Sequence, residues 1–280
     1  MTISEFAENL SPENPINYRF NHDSLAELAI KYKEEYNSGY PFKHIVIDNF
    51  LPERVLNEVI NELPSIRPNE DTISNTSKFE HKKSAASAPE FFKPSLTNLL
   101  YQLNGLHFLD FMEQLTGIKG LIADTRLDGG GYHLTKRAGH LRIHTDFSHH
   151  RHFNLRRRIN IIIYLNRDWA EEYGGHLELW DKDLTECKKK VLPIFNRCVI
   201  FDTNQNTPHG HPEPLTCPED HGRQSLALYY YDNPHEEVAG IPTNYMGRPG
   251  TSEMGSTTKR IVRSLTPPIL WDLAKRIKNN

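Results

Sequence analysis

Cysteine is scarce in this chain of 280 residues: there are three, Cys187, Cys198 and Cys217. No two of them have the short spacing of a zinc knuckle or a dithiol redox motif, so reduced thiols with no role in chemistry are expected. Long apolar runs are missing as well. No stretch approaches the roughly 18 apolar residues of a membrane span. The first residues, MTISEFAENLSPENP, have neither the basic start nor the apolar stretch of a secretory signal. These absences lead to the expectation of a cytoplasmic protein in a reducing compartment, without a membrane partner. An excess of one charge is absent too. The formal net charge is −3, which argues against a broad nucleic-acid surface. No internal repeat or low-complexity tract occurs.

What is present suits a packed core. Hydrophobic residues make up 37% and charged residues 25%, within the range of ordinary globular proteins. The length fits one large domain. Helical spacing of Leu25, Leu28, Ala29 and Tyr32 predicts a helix over 23–37 behind an Asp/Ser cap. A short strand is expected at 44–50, then a helix from Leu51 to Pro64, and a long polar loop over 65–90. Residues 95–116 read as one amphipathic helix. After Gly117 the period changes to alternation. Strands are expected at 121–127, 131–136, 140–146, 158–166, 175–181, 190–193, 197–203, 208–211 and 223–232. Many short strands at regular spacing suggest a sandwich or barrel. A last helix is expected from Pro267 to Lys278. The domain plan is therefore a helical N-terminal region over 1–116, a β core over 117–232 and an extension over 233–280, forming one domain.

Fifteen histidines make spacing the selector. In HLRIHTDF, residues two apart in a strand share a face, so His144 and Asp146 project together. His209, in NTPHGHP, lies just past a later strand and a polar turn; His211 competes with it. Two imidazoles and one carboxylate on one octahedral face leave three positions open, the pattern of non-haem Fe(II) oxygenases. The same donors bind Mn²⁺, Co²⁺ and Zn²⁺. A His-x-Asp pattern alone arises by chance and also fits two polar residues on a solvated strand face.

A second set of residues suits a carboxylate ligand. In RQSLALYYY, alternation puts Arg223, Ser225 and Ala227 on one face. A guanidinium fork beside a hydroxyl binds carboxylate in two-pronged fashion, and the small Ala227 leaves room. A surface arginine paired to a local acid is the plainer alternative. In INIIIYL, Asn160, Ile162 and Tyr164 share a face of a strand that is apolar on both sides. Buried Asn160 and Tyr164 need polar partners, from neighbouring strands or from a ligand.

In combination these segments resemble the Fe(II)/2-oxoglutarate-dependent dioxygenases of the prolyl-4-hydroxylase-like type. The resemblance runs in order through PFKHIVIDNFLP, His144-Thr-Asp146, RRRINIIIYLNRDW, YGGHLELW, NRCVIFDT, PHGHP and GRQSLALYYY, covering roughly residues 41–232. It implies a mainly β fold with flanking helices around a double-stranded β-helix, or jelly-roll. It implies Fe(II) held by His144, Asp146 and His209. It implies 2-oxoglutarate on Arg223 with Ser225, Tyr164 and Asn160, and Tyr132 as a further contact. The reaction implied couples oxidative decarboxylation of 2-oxoglutarate, with O₂, to hydroxylation, with ascorbate as a reductant. Asp146 sets the chain apart from the halogenating branch, where a small residue replaces that carboxylate. His209 is preferred over His211 because the family's His-Gly step falls on His209-Gly210.

Other clusters read differently. His176-Leu-Glu178 follows a double glycine and is expected to face outward. The run SHHRHFNLRRR at 148–158 reads as a solvated loop, with an anion-binding rim for the substrate as its functional alternative. The substrate is expected to be a small molecule or a peptidyl residue. Two rival classes remain: a cupin-like metal enzyme without 2-oxoglutarate, and a non-catalytic jelly-roll binding module. Arg223, Ser225 and Tyr164 separate the first from the oxygenase reading, since a cupin has no use for a carboxylate pocket.

Overall fold

A computed structural model describes residues 18–63, 73–75, 80–86, 92–234, 236 and 240–251. The helix expected from Pro267 to Lys278 lies outside the described residues.

Among the described residues four helices precede the β core. Asn21 caps α1 (His22–Ser38) by accepting the Ser24 N–H at 3.0 Å, the ordinary stabilisation of a helix start. Helix α2 (Glu53–Glu62) follows Pro52. Its last residue, Glu62, takes the Ser95 and Leu96 N–H groups at 3.0 and 2.9 Å and so caps α3 (Pro94–Leu103). The single helix expected over 95–116 is two, α3 and α4 (Leu106–Thr116). Asn104 and Gly105, poor helix formers, fall at the break. Gly117 ends α4 in the left-handed conformation at φ 78°, which glycine adopts at no steric cost.

Among the described residues the strands form one curled antiparallel sheet in the order β1-β9-β6-β11-β5-β10-β7-β8. These are β1 (His44–Ile47), β5 (Gly131–Thr145), β6 (Arg156–Tyr164), β7 (Leu177–Trp180), β8 (Cys187–Val191), β9 (Cys198–Asp202), β10 (His209–His211) and β11 (Gly222–Asp232). Short strands β4 (Ile122–Ala123) and β12 (Asn244–Tyr245) pair with β11 and β5. The two strands expected at 131–136 and 140–146 are one, β5. Its first half pairs with β11 (Thr135↔Arg223) and its end with β10 (His144↔His209). A left-handed residue, Ala138 at φ 63°, lies between the halves. The strand thereby belongs to both walls of the jelly-roll.

The loop expected over 65–90 contains a hairpin, β2 (Ile73–Asn75) and β3 (Glu80–Ala86). Strand β3 adds to the outer edge of β5, with Ala85 opposite His133. Its polar sequence carries no strand signal; the neighbouring edge supplies its hydrogen bonds.

The outward face of β6 and β11 is the main core. Ile159, Ile161, Ile163, Leu226, Leu228 and Tyr230 pack there against Leu99, Phe108, Phe111 and Met112 of the helices. The Tyr230 hydroxyl donates to the Leu103 carbonyl at 2.7 Å, tying β11 to the end of α3. The inward faces of the same strands line a cavity of about 610 Å³. Burial on both sides explains why INIIIYL is almost wholly apolar.

Candidate metal and cosubstrate site

The end of β5 and the start of β10 place His144, Asp146 and His209 together. Their ligand atoms all lie within 4.8 Å of one another. His144 Nε2 is 3.5 Å from Asp146 Oδ1, and His209 Nε2 is 3.5 Å from Asp146 Oδ2. Neighbouring ligands on a metal with bonds of about 2.1 Å sit roughly 3 Å apart, so the gap suits a metal ion with little adjustment. Each imidazole is held by its other nitrogen. His144 Nδ1 faces the Arg142 carbonyl at 2.9 Å, and His209 Nδ1 the Thr207 carbonyl at 3.0 Å. A carbonyl only accepts, so each Nδ1 carries the proton and each Nε2 presents a lone pair to the centre. Gly210 permits the approach of β10 to β5, since a Cβ there would meet the Arg142 carbonyl oxygen at 2.8 Å.

Electrostatics keep His209 and Asp146 ready to ligate. Burial pushes the His209 imidazole down to about 4, with Asp146 opposing, so the ring is neutral at pH 7. Burial also resists ionisation of Asp146, but Arg157, His209 and His144 outweigh it and hold the carboxyl well below its usual range. Arg157 is 3% exposed and lies 3.1 Å from Asp146 Oδ2. Asn160 donates to the same oxygen at 2.9 Å and accepts from Arg157. The guanidinium sits against the rings of Tyr229 and Phe147, at 3.4 and 4.5 Å from their centroids.

Arg223 is the contrasting case. It is buried at 6% exposure, and among the described residues no carboxylate lies within ion-pair reach of it. Its Nε donates to the Gly175 carbonyl at 2.7 Å and one terminal nitrogen donates to the Tyr164 hydroxyl at 3.0 Å. Burial lowers its pKa, which Tyr164 partly offsets. A lone buried cation is costly unless an anion joins it. Ser225 stands in register with Tyr164, and both Ser225 and Arg223 line the cavity. These residues fit a metal ion plus a carboxylate-bearing cosubstrate.

The remaining candidates fall in different places. Asn160 lines the cavity but bonds Asp146. Tyr132 does not join the others: it packs in the helix-side core and donates to Gln224 Oε1 at 2.8 Å. Its neighbours His133 and Thr135 face the cavity instead. His211 also lines the cavity, and His176 pairs outward with Glu171 at 3.0 Å. The 148–158 run is not one solvated loop. Arg151 and His152 line the cavity, while His150 is buried 3.5 Å from Asp124. Arg156 and Arg158 both pair with Asp232. Arg157 is turned inward by a register shift: Tyr230 faces Ile159 but Tyr231 faces Arg157, leaving Arg158 as the extra residue. Thr243 and Tyr245 of the C-terminal segment complete the wall.

A jelly-roll with two histidines and a carboxylate on an open cavity, and a buried guanidinium awaiting an anion, defines the non-haem iron enzymes that use a 2-oxo acid. Residues 130–231 of the chain match the model of the 2OG-Fe(II) oxygenase superfamily. Iron and 2-oxoglutarate are the metal and cosubstrate of that superfamily. The mouse (Mus musculus) prolyl 3-hydroxylase OGFOD1 is 26% identical over 198 residues, 68% of this chain. The match takes in 33% of the mouse protein, so the chain spans about a third of that relative's length. Among solved structures, a Trichoplax adhaerens prolyl hydroxylase, in complex with a peptide fragment of the hypoxia inducible factor oxygen degradation domain, superposes with a TM-score of 0.56. It is 16% identical, covering 75% of this chain and 91% of that one. A Pseudomonas putida prolyl-4-hydroxylase gives a TM-score of 0.52 at 14% identity, covering 74% and 98%. Both likenesses concern the fold, a mainly antiparallel jelly-roll with few flanking helices.

Proposed function

We propose that the chain is a hydroxylase that couples oxidative decarboxylation of 2-oxoglutarate to hydroxylation of a prolyl residue in a peptide or protein. The observation that carries the cosubstrate is Arg223, which is buried in the same cavity as His144, Asp146 and His209 and has no carboxylate within ion-pair reach among the described residues. The mouse relative, named as a prolyl 3-hydroxylase, supports the prolyl substrate. Iron(II), when bound, supplies the centre at which O₂ and 2-oxoglutarate react and from which a C–H bond is oxidised. His144, Asp146 and His209 hold one face of it and leave the other positions to ligands. Arg223 and the Tyr164 hydroxyl orient the cosubstrate's distal carboxylate. Arg157 and Asn160 fix Asp146 so that it ligates in one orientation. Ile162, Leu177 and Ala227 give the cavity an apolar wall that limits water. Arg126, Arg151 and His152 line the cavity and favour an anionic group on the substrate. The reading also takes the protein as cytoplasmic, with ascorbate as reductant; scarce cysteine supports the first.

Anaerobic addition of Fe(II) and then 2-oxoglutarate to metal-free protein tests the site. A visible charge-transfer band is expected, absent in His144→Ala and weakened in Arg223→Ala. Tight Fe(II) binding with no band would remove 2-oxoglutarate and favour the cupin-like alternative. Succinate release stimulated by proline-containing peptides tests the substrate.

A further inference from the structure

We propose that the C-terminal strap, residues 240–246, completes the metal site, and that Tyr245 is a positioning residue for His144. The inference rests on the metal reading above. The end of β5 has a neighbour on each side. His209 of β10 stands opposite His144 on one, and Tyr245 of β12 stands opposite it on the other. The strap is stitched down at both ends of the His-x-Asp segment. Ser148 N donates to the Ile241 carbonyl at 2.9 Å, Ile241 N donates to Ser148 Oγ at 2.8 Å, and Met246 N donates to the Ile143 carbonyl at 2.8 Å.

The side chains carry the same arrangement. The Tyr245 ring lies 5.4 Å from the His144 ring, centroid to centroid, and the His209 ring lies 4.6 Å from it. The bond from His144 Nδ1 to the Arg142 carbonyl fixes one point of the imidazole, and a ring held at one point can still pivot. Rings packed nearby restrict that pivot, so Nε2 stays aimed at the metal. Thr243 and Tyr245 are also cavity wall, so the strap bounds the space a substrate would enter. Tyr245 lies beyond the residues that match the superfamily, 130–231.

Co(II) is the probe. Wild type, Tyr245→Ala, Tyr245→Phe and Ile241→Ala are loaded with Co(II), and release to a chelator is followed with the visible Co(II) spectrum. Ile241 is on the same strap and is 46% exposed. The expected result is release at least about 10-fold faster in Tyr245→Ala, with an altered spectrum, the scale typical when a group that orients a metal ligand is lost. Tyr245→Phe keeps the ring and restores wild-type release; Ile241→Ala behaves as wild type. Wild-type release from Tyr245→Ala overturns the proposal, as does equal loss in Ile241→Ala, which would make the effect general to the strap. If Tyr245→Ala does not fold, Tyr245→Leu keeps apolar bulk without the ring and is read the same way. A wild type that binds no Co(II) removes the metal reading itself and the proposal with it.

Discussion

Arg157→Met and Arg223→Met should change the stability of the metal-free protein very differently, although both remove a buried guanidinium from the inner face of the barrel. Arg157 neutralises Asp146. Its loss leaves a carboxylate buried without its cation, which costs about 3–5 kcal/mol. Lost packing on Tyr229 and Phe147 adds roughly 1 kcal/mol. Among the described residues Arg223 has no anion to abandon. Its two recorded hydrogen bonds, to Gly175 O and Tyr164 Oη, are worth about 1 kcal/mol each. Relief from burying a lone charge, several kcal/mol per ion, opposes that loss. The net change for Arg223→Met is therefore near zero or stabilising. In a domain of this size 1 kcal/mol moves Tm by about 2–4 °C. Calorimetry of the metal-free proteins should show Arg157→Met lower by about 8–24 °C and Arg223→Met within about 4 °C of wild type. Adding metal should rescue Arg157→Met in part, because the ion supplies the missing positive charge. Adding metal and 2-oxoglutarate should stabilise wild type far more than Arg223→Met. Equal destabilisation by the two substitutions would refute the reasoning, since Arg223 would then be satisfied by the protein and would need no ligand carboxylate.

Three further outcomes follow from the geometry. In metal-free protein the His209 ring should titrate near 4, where burial places it, so its ¹⁵N signals stay those of neutral imidazole at about pH 6; a midpoint near the ordinary value of about 6.5 would contradict this. Gly175→Ala should cost about 1–3 kcal/mol in chemical denaturation and raise the KM for 2-oxoglutarate, because φ is +72° there and a Cβ would meet Leu215 at 2.7 Å and Arg223 at 3.0 Å. For Asp232, burial raises its pKa but the bonds from Arg156 and Arg158 lower it below the ordinary value. Its contribution is thus present above the unfolded carboxylate range, about 3.9, and is lost as pH falls through the folded pKa. Asp232→Asn should accordingly flatten the acid side of the stability profile, and an unchanged profile would sink that account.

What the sequence revealed depended on where strict alternation holds. His144 and Asp146, or Arg223, Ser225 and Ala227, lie on undisturbed stretches, so counting by two is enough to put them on one face. Arg157 fails this test because the register slips by one residue beside it, and nothing in RRRIN announces the slip. Tyr132 fails for the opposite reason. Alternation puts it with Leu226, away from Ser225, and resemblance alone had assigned it to the cavity. The β2–β3 hairpin and the strap owe their place to edges offered by β5 and not to their own composition. Local pattern is silent about such borrowed pairing. The helices were easier, apart from the break at Asn104-Gly105.

Strand β5 has a consequence of another kind. Thr135, near its start, faces Arg223, and His144, near its end, faces His209. The distance between the carboxylate anchor and the metal face is thus counted out along one backbone, like graduations on a rule. Losing one residue between Lys136 and His140 would leave every ligating and anchoring side chain in the sequence. It would shorten the rule and turn each later side chain to the opposite face. Chain length in that short stretch is itself part of the specification of the site.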